Sequence, residues 1–134
     1  AEQLRRNHRS LTLFYGARSV KDLLYLQELK VLNVKLHLTT VDGSAGETGL
    51  VTEAVGRVYS AQKPGLVACC GPTGLLKAVQ QWALPRGIAC ELSVEETMGC
   101  GTGVCLGCVV QDHEGHYRRA CIEGPVFEGA SIRL

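Results

Sequence analysis

The sequence is short of several things. Charge of one sign is missing: 14 Lys and Arg balance 13 Asp and Glu, and the formal net charge is +1. That balance gives no electrostatic footprint for nucleic acid or for an acidic membrane surface. No apolar run approaches the roughly 20 residues of a membrane span, and no signal peptide opens the chain, so a soluble, cytoplasmic protein is expected. Internal repeats and low-complexity segments are absent. So is any set of residues resembling a general acid, a general base or a nucleophile. His8, His37, His113 and His116 have no obvious catalytic companion, and all four read as exposed. Cysteine is missing from the whole first half: none of the seven precedes Cys69.

What is present reads as globular. Hydrophobic residues make up 46% of the 134 residues and charged ones 20%, enough for a core and too apolar for disorder. Residues 1 to 9 are polar and helix-prone but begin without a cap. Leu11 to Tyr15 reads as a buried strand ending at Gly16. Ser19 is a plausible N-cap with Asp22 three residues on. Leu23, Leu24, Leu26, Leu29 and Leu32 then form an apolar helical stripe. Val34 to Thr40 alternates as a strand with Val34, Leu36 and Leu38 inward. After a loop at Asp42 to Gly46, a short helix is expected over 49–59 and a strand over 65–70. Thr73 would cap a helix to about Trp82, and a further strand spans 88–92. Strands alternating with helices predict an α/β domain with a parallel sheet.

The character changes after Ser93. Met98 to Cys108 packs four glycines and three cysteines into eleven residues. Val109–Gln111 and Tyr117–Cys121 flank a turn around Gly115, predicting a hairpin. The division expected is therefore 1–93 and 94–134.

An odd number of cysteines does not suit a disulfide framework in a reducing compartment. Four of them form the pattern Cys100-x4-Cys105-x2-Cys108-x12-Cys121, the spacing of plant-type [2Fe–2S] ligands. Three close thiolates need a loop that wraps the cluster, and the fourth must return from elsewhere. Gly101, Gly103 and Gly107 are expected to supply positive φ and to let backbone N–H groups reach the sulfurs. Structural zinc is the rival reading, although it usually shows two C-x2–4-C pairs, and free or bridged cysteines are a third. His113 and His116 read as turn residues. Cys90 reads as core, and one of Cys69 and Cys70 should point inward.

Cys100-Gly-Thr-Gly-Val-Cys-Leu-Gly-Cys108 and Cys121-Ile-Glu-Gly-Pro-Val-Phe127 resemble the electron-transfer subunit of NAD-dependent dihydroorotate dehydrogenase. That subunit belongs to the ferredoxin-NAD(P)+ reductase superfamily. Ser93 to Met98 resembles the same family's approach to its cluster loop. Tyr15-Gly-Ala-Arg-Ser19 and Cys70-Gly-Pro72 resemble the superfamily's nucleotide-binding half.

The resemblance implies part of a parallel-sheet nucleotide-binding domain of ferredoxin-reductase type, followed by a small cysteine-rich [2Fe–2S] subdomain with a β-hairpin. It implies electron relay between NADH, FAD and a flavin-containing catalytic partner in a hetero-oligomer. A hydrogenase-type or other flavin-based complex is the alternative, and a zinc-stabilised interaction module is a reading of another class. Carried over by motif, Cys70, Gly71 and Pro72 would lie beside the nicotinamide, and Gly16 and Arg18 near the dinucleotide. Asp42 would bond the adenosine ribose and repel the 2′-phosphate of NADP. A turn residue before Gly43 is the other reading of Asp42, and a helix start that of Gly71-Pro72. The family's FAD-holding barrel and phosphate loop are expected to precede Ala1, so the chain alone should bind NADH poorly and FAD hardly at all.

Overall fold

The structure is a computed structural model and describes residues 10–134. The uncapped helix expected over residues 1 to 9, with His8, lies outside the described residues. The chain packs as two compact units, 1–62 and 63–134.

In the first unit, β1 (Thr12–Ala17) pairs in parallel with β2 (Lys35–Thr40), and β2 pairs in parallel with the two-residue β3 (Glu47–Thr48). The leucine-rich stretch between β1 and β2 is not one helix. A 3-10 turn over Val20–Asp22 ends at Leu23, and α1 begins at Leu26 and ends at Val31. Ser19 does cap, since its N–H and hydroxyl both donate to the Asp22 carboxylate, at 3.0 and 2.9 Å. The ladder then breaks because the N–H of Leu24 donates to the Tyr15 hydroxyl at 2.9 Å, and Tyr25 takes φ 56°. That break turns Leu23 inward and leaves Leu24 outside. The helical stripe was a correct account of apolar content and a wrong one of continuity.

α2 (Val51–Val58) starts where expected, with the Leu50 N–H donating to the Glu53 carboxylate at 3.1 Å. In β2 the most buried positions are Thr39 and Thr40, not the leucines. The hydroxyl of Thr40 bonds the Ala45 backbone on both sides, at 2.7 and 3.0 Å, and so pins the following loop. His37 is also not exposed as expected. Its ring lies flat on Phe14, its cross-strand partner, with centroids 4.9 Å apart.

The second unit holds two sheets. β4 (Leu66–Cys70) pairs in parallel with β5 (Ala89–Ser93), and β5 pairs antiparallel with β8 (Val126–Glu128). β6 (Val109–Asp112) forms the expected hairpin with β7 (Tyr117–Arg119) and pairs on its other edge with β9 (Ile132–Arg133). α3 (Thr73–Ala83) has Pro72 as its N-cap, so Thr73 is its first residue, not its cap. Residues 120 to 123 leave the strand and form the short α4 (Ala120–Glu123).

One apolar cluster fuses these elements. Leu76, Val79 and Ala83 of α3 meet Leu92 of β5, Val110 of β6, Ala120, Phe127 and Ile132. Gly124 makes room for Phe127: a Cβ there would come within 2.5 Å of the ring. Burying one such ring is worth about 1.5–3 kcal/mol, against about 0–1 for an exposed ion pair, so this layer holds the unit together. It also explains why packing divides the chain after residue 62 while the cysteine-rich segment begins some thirty residues later. Among the described residues no helix is long and apolar enough to cross a membrane.

Gln80 is the polar member of the core. Its side-chain N–H groups donate to the carbonyls of Gly129 at 2.7 Å and Ile132 at 2.8 Å, tying the C-terminal segment to α3. Gln80→Leu leaves both carbonyls without that donor. The expected loss is about 2 kcal/mol in urea unfolding. A loss below about 0.5 kcal/mol would show that the tie is dispensable.

Candidate iron–sulfur centre

The cysteine loop runs from the end of β5 to the start of β6, and α4 follows β7. The hairpin therefore returns the chain to the loop. The return is fixed at its root, where the Ala120 N–H donates to the Cys108 carbonyl at 2.9 Å. Ala120 is fully buried there, and the next residue is Cys121.

The four thiols differ in exposure. Cys100 and Cys105 sit on the exposed part of the loop, and the sulfur of Cys100 accepts N–H groups from Thr102 at 3.4 Å and Cys105 at 3.5 Å. Cys108 is buried and Cys121 half-buried, and the Cys121 N–H points at the Cys108 sulfur at 3.4 Å. The Thr102 side chain, then the backbone N–H of Cys105, hold the Cys100 thiol down to about 5, so it is ready as a thiolate. The Cys121 thiol is pushed up, first by its hydrogen bond to Cys108, then by desolvation and the Cys108 charge. A bound cation would reverse that last effect, because a coordinating thiol is deprotonated outright.

This donor set fits a [2Fe–2S] cluster. Such a group is held by four thiolates, and the loop and hairpin supply four with backbone donors already at the sulfurs. Among the described residues no group of three or more His, Cys, Asp or Glu is gathered closely enough to hold a metal ion. A four-cysteine zinc site usually presents two C-x2–4-C pairs, whereas here Cys121 stands alone, separated from Cys108 by twelve residues.

The glycines act partly as expected. Gly101 and Gly103 have φ 67° and 82°, but Gly107 does not take positive φ; Leu106 does, at 55°. A Cβ at Gly107 would lie 3.4 Å from the Cys105 sulfur, an ordinary contact, whereas one at Gly99 would press on it at 3.2 Å. Gly103 is buried against α4, and a Cβ on it would come within 2.5 Å of Ile122 Cδ1.

The hairpin tip is closed by Asp112, whose Oδ1 accepts the N–H groups of Glu114 at 3.0 Å and His116 at 2.8 Å. His113 and His116 are exposed turn residues there. Missed by the sequence reading are Arg118, Arg119 and Glu123. Glu123 Oε2 accepts the Arg119 N–H at 2.8 Å and Nε–H at 3.1 Å, while Oε1 accepts Arg118 Nε–H at 2.7 Å. The Arg119 N–H, then the two guanidinium groups, hold the Glu123 carboxyl down to about 2. The signal available was the Arg119–Glu123 i,i+4 spacing around Cys121.

The residues carried over for nucleotide contact are divided between the units: Gly16, Arg18 and Asp42 in the first, Cys70, Gly71 and Pro72 in the second. A Cβ at Gly16 would press on Val51 Cβ at 2.8 Å, so that glycine admits the start of α2. Arg18 is exposed, and its carbonyl accepts the Asp42 N–H at 3.2 Å. Asp42 Oδ1 accepts the Ser44 hydroxyl at 2.5 Å and N–H at 2.9 Å, and these bonds, the hydroxyl first, lower its pKa. It is thus a turn residue in this structure. Cys70 is exposed at the end of β4, while Cys69 packs on the core and is pushed up to about 11, chiefly by burial. Cys90 is core, as expected. Gly71 has φ 147° and a Cβ there would meet Leu75 at 2.9 Å. Pro72 accepts the Leu75 N–H at 2.8 Å and so starts α3.

Comparison with known proteins agrees with this geometry. Residues 1–81 match the oxidoreductase NAD-binding domain, and the chain belongs to that family. Residues 95–133 match, more particularly, the iron–sulfur cluster binding domain of dihydroorotate dehydrogenase B. The electron transfer subunit homolog of dihydroorotate dehydrogenase B (NAD(+)) from Aquifex aeolicus is 39% identical over 134 residues, covering 100% of this chain and 51% of that protein. The electron transfer subunit from Caldanaerobacter subterraneus is 42% identical over 93 residues, covering 67% and 37%. A solved structure of the NADH-dependent reduced ferredoxin-NADP oxidoreductase, described for flavin-based electron bifurcation, is also similar. Its TM-score is 0.79 at 32% identity, over 97% of this chain and 46% of that one. The chain thus spans about half the length of the relatives it matches.

Gly103→Ala tests the close approach of loop and helix. The methyl adds about 1–2 kcal/mol of left-handed strain to the clash with Ile122, so iron loading should weaken at least roughly tenfold. Unchanged iron per chain after reconstitution would contradict that approach.

Proposed function

We propose that this chain is the NAD-side and cluster-bearing part of an electron-transfer subunit of dihydroorotate dehydrogenase type. The observation that carries the proposal is the return of the chain at Ala120, whose N–H on the Cys108 carbonyl brings Cys121 beside Cys108, with backbone N–H groups on the sulfurs of Cys100 and Cys108. When bound, a [2Fe–2S] cluster on these four thiolates supplies one-electron transfer. The chain's own residues do the rest. The N–H groups of Thr102, Cys105 and Cys121 stabilise negative charge on sulfur, and the hairpin keeps the fourth ligand in register with the first three.

In this reading residues 1–93 are the portion of the nucleotide domain and 94–134 the cluster subdomain. Cys70, Gly71 and Pro72 approach the nicotinamide, Gly16 and Arg18 the dinucleotide, and Asp42 the ribose. NADH and FAD serve the full subunit, which works in the cytoplasm beside a flavin-containing catalytic partner. Exposed apolar residues on the cluster rim, Val104 at 82%, Leu106 at 60% and Met98 at 50%, suit docking of such a partner. A second reading, a subunit of another flavin-based complex, is favoured by the likeness to the bifurcating oxidoreductase. The two differ in partner and share the site.

Anaerobic reductive titration of the reconstituted chain tests the relay. One electron per chain should be taken up, with a paramagnetic signal appearing, and Cys105→Ser should abolish both. Uptake of no electrons by an iron-loaded chain would refute the relay.

A further inference from the structure

Arg119 reaches both halves of the thiolate set without being a ligand. Its Nη1 donates to the Gly103 carbonyl at 3.4 Å, within the loop of the first three cysteines. Its Nε and its backbone N–H donate to Glu123, in the short helix that carries Cys121. Glu123 is held in turn by Arg118, which makes no such bond to the loop. Gly103 is where the two halves come closest, since its missing side chain is what admits Ile122.

We propose that Arg119 is a positioning residue for the cluster: its guanidinium braces Gly103 of the ligand loop against Glu123 of the Cys121 helix. A planar fork holds widely spread donors in fixed directions toward the two anchors, which a compact ammonium on a flexible stem does not reproduce. The consequence is electronic as well as mechanical. Gly103 lies between Thr102 and Cys105, whose backbone N–H groups donate to the Cys100 sulfur at 3.4 and 3.5 Å, so the brace on Gly103 holds those donors in place. Hydrogen bonds to cluster sulfurs favour the reduced state, so holding Gly103 in place raises the potential.

This rests on the [2Fe–2S] reading, and the experiment separates the two. Wild-type chain, Arg119→Gln and Arg118→Gln are reconstituted, and iron content, paramagnetic spectrum and midpoint potential are measured for each. Arg119→Gln should shift the one-electron equilibrium about tenfold toward the oxidised form, about 59 mV, and alter the spectrum. Arg118→Gln removes the same charge and its own bond to Glu123 but leaves Arg119 on both Gly103 and Glu123, so its potential and spectrum should move far less than those of Arg119→Gln. Equal shifts in both variants would mean charge alone acts, and no shift in Arg119→Gln would mean the brace is idle; either overturns the inference. If Arg119→Gln loads too little iron to measure, Arg119→Lys decides. It keeps the charge and loses the fork, so the shift should persist, and a wild-type potential would overturn the inference. Failure of the wild-type chain to hold iron would instead strike the underlying reading.

Discussion

The site depends on one backbone hydrogen bond, from the buried N–H of Ala120 to the carbonyl of Cys108. Twelve residues separate Cys108 from Cys121, and without that closure the fourth thiol has no fixed relation to the other three. With it, the hairpin register is set: Val109 faces Arg119, Val110 faces Arg118, and the strand turns into α4 as it reaches the loop. The Cys121 N–H then falls beside the Cys108 sulfur. A sheet register cannot slip by one residue without moving every side chain to the other face, so buried Val110 guards the alignment of the ligands.

That hairpin is steadied by the same core that supports β4, β5 and α3. Val110, Ala120 and Ile132 from the cluster-bearing part meet Leu76, Val79 and Leu92 from the nucleotide-type part, and Gln80 binds the carbonyls that end the chain. The cysteine loop itself is mostly exposed, with Cys100 and Cys105 at the surface and Cys108 buried. Rigidity below and exposure above follow from one arrangement. The core supplies the first, and the glycines near Cys105 leave too little side chain to cover the second.

Much of this was legible in the residues. The cysteine spacing pointed to an iron–sulfur domain because metal ligation leaves little choice of residue type, and residues 95–133 match such a domain. The strands β1, β2, β4 and β5 and the buried Cys90 followed from apolar pattern and the hairpin from the turn around Gly115, while which of Cys69 and Cys70 points inward was left open, and it is Cys69. What escaped was decided by contacts distant in sequence. The leucine stretch broke because Tyr15 captured the Leu24 N–H. Gly107 looked like a residue needed for positive φ, but the neighbouring Leu106 takes that conformation instead, at 55°. β8 and β9 are two or three residues long and carry no periodicity; they exist because Phe127 and Ile132 find the core. Arg119 and Glu123 drew no reading, because their role comes from where the hairpin and the short helix place them. Asp42 was given two readings, and its bonds to Ser44 describe the turn.

The central claim is that four thiolates of this chain hold two irons and two sulfides. The direct test is the visible absorption of anaerobically reconstituted chain, with iron and acid-labile sulfide assayed on the same sample. The account predicts bands between roughly 400 and 550 nm with about two irons and two sulfides per chain. A colourless protein holding one zinc on the same cysteines would contradict it.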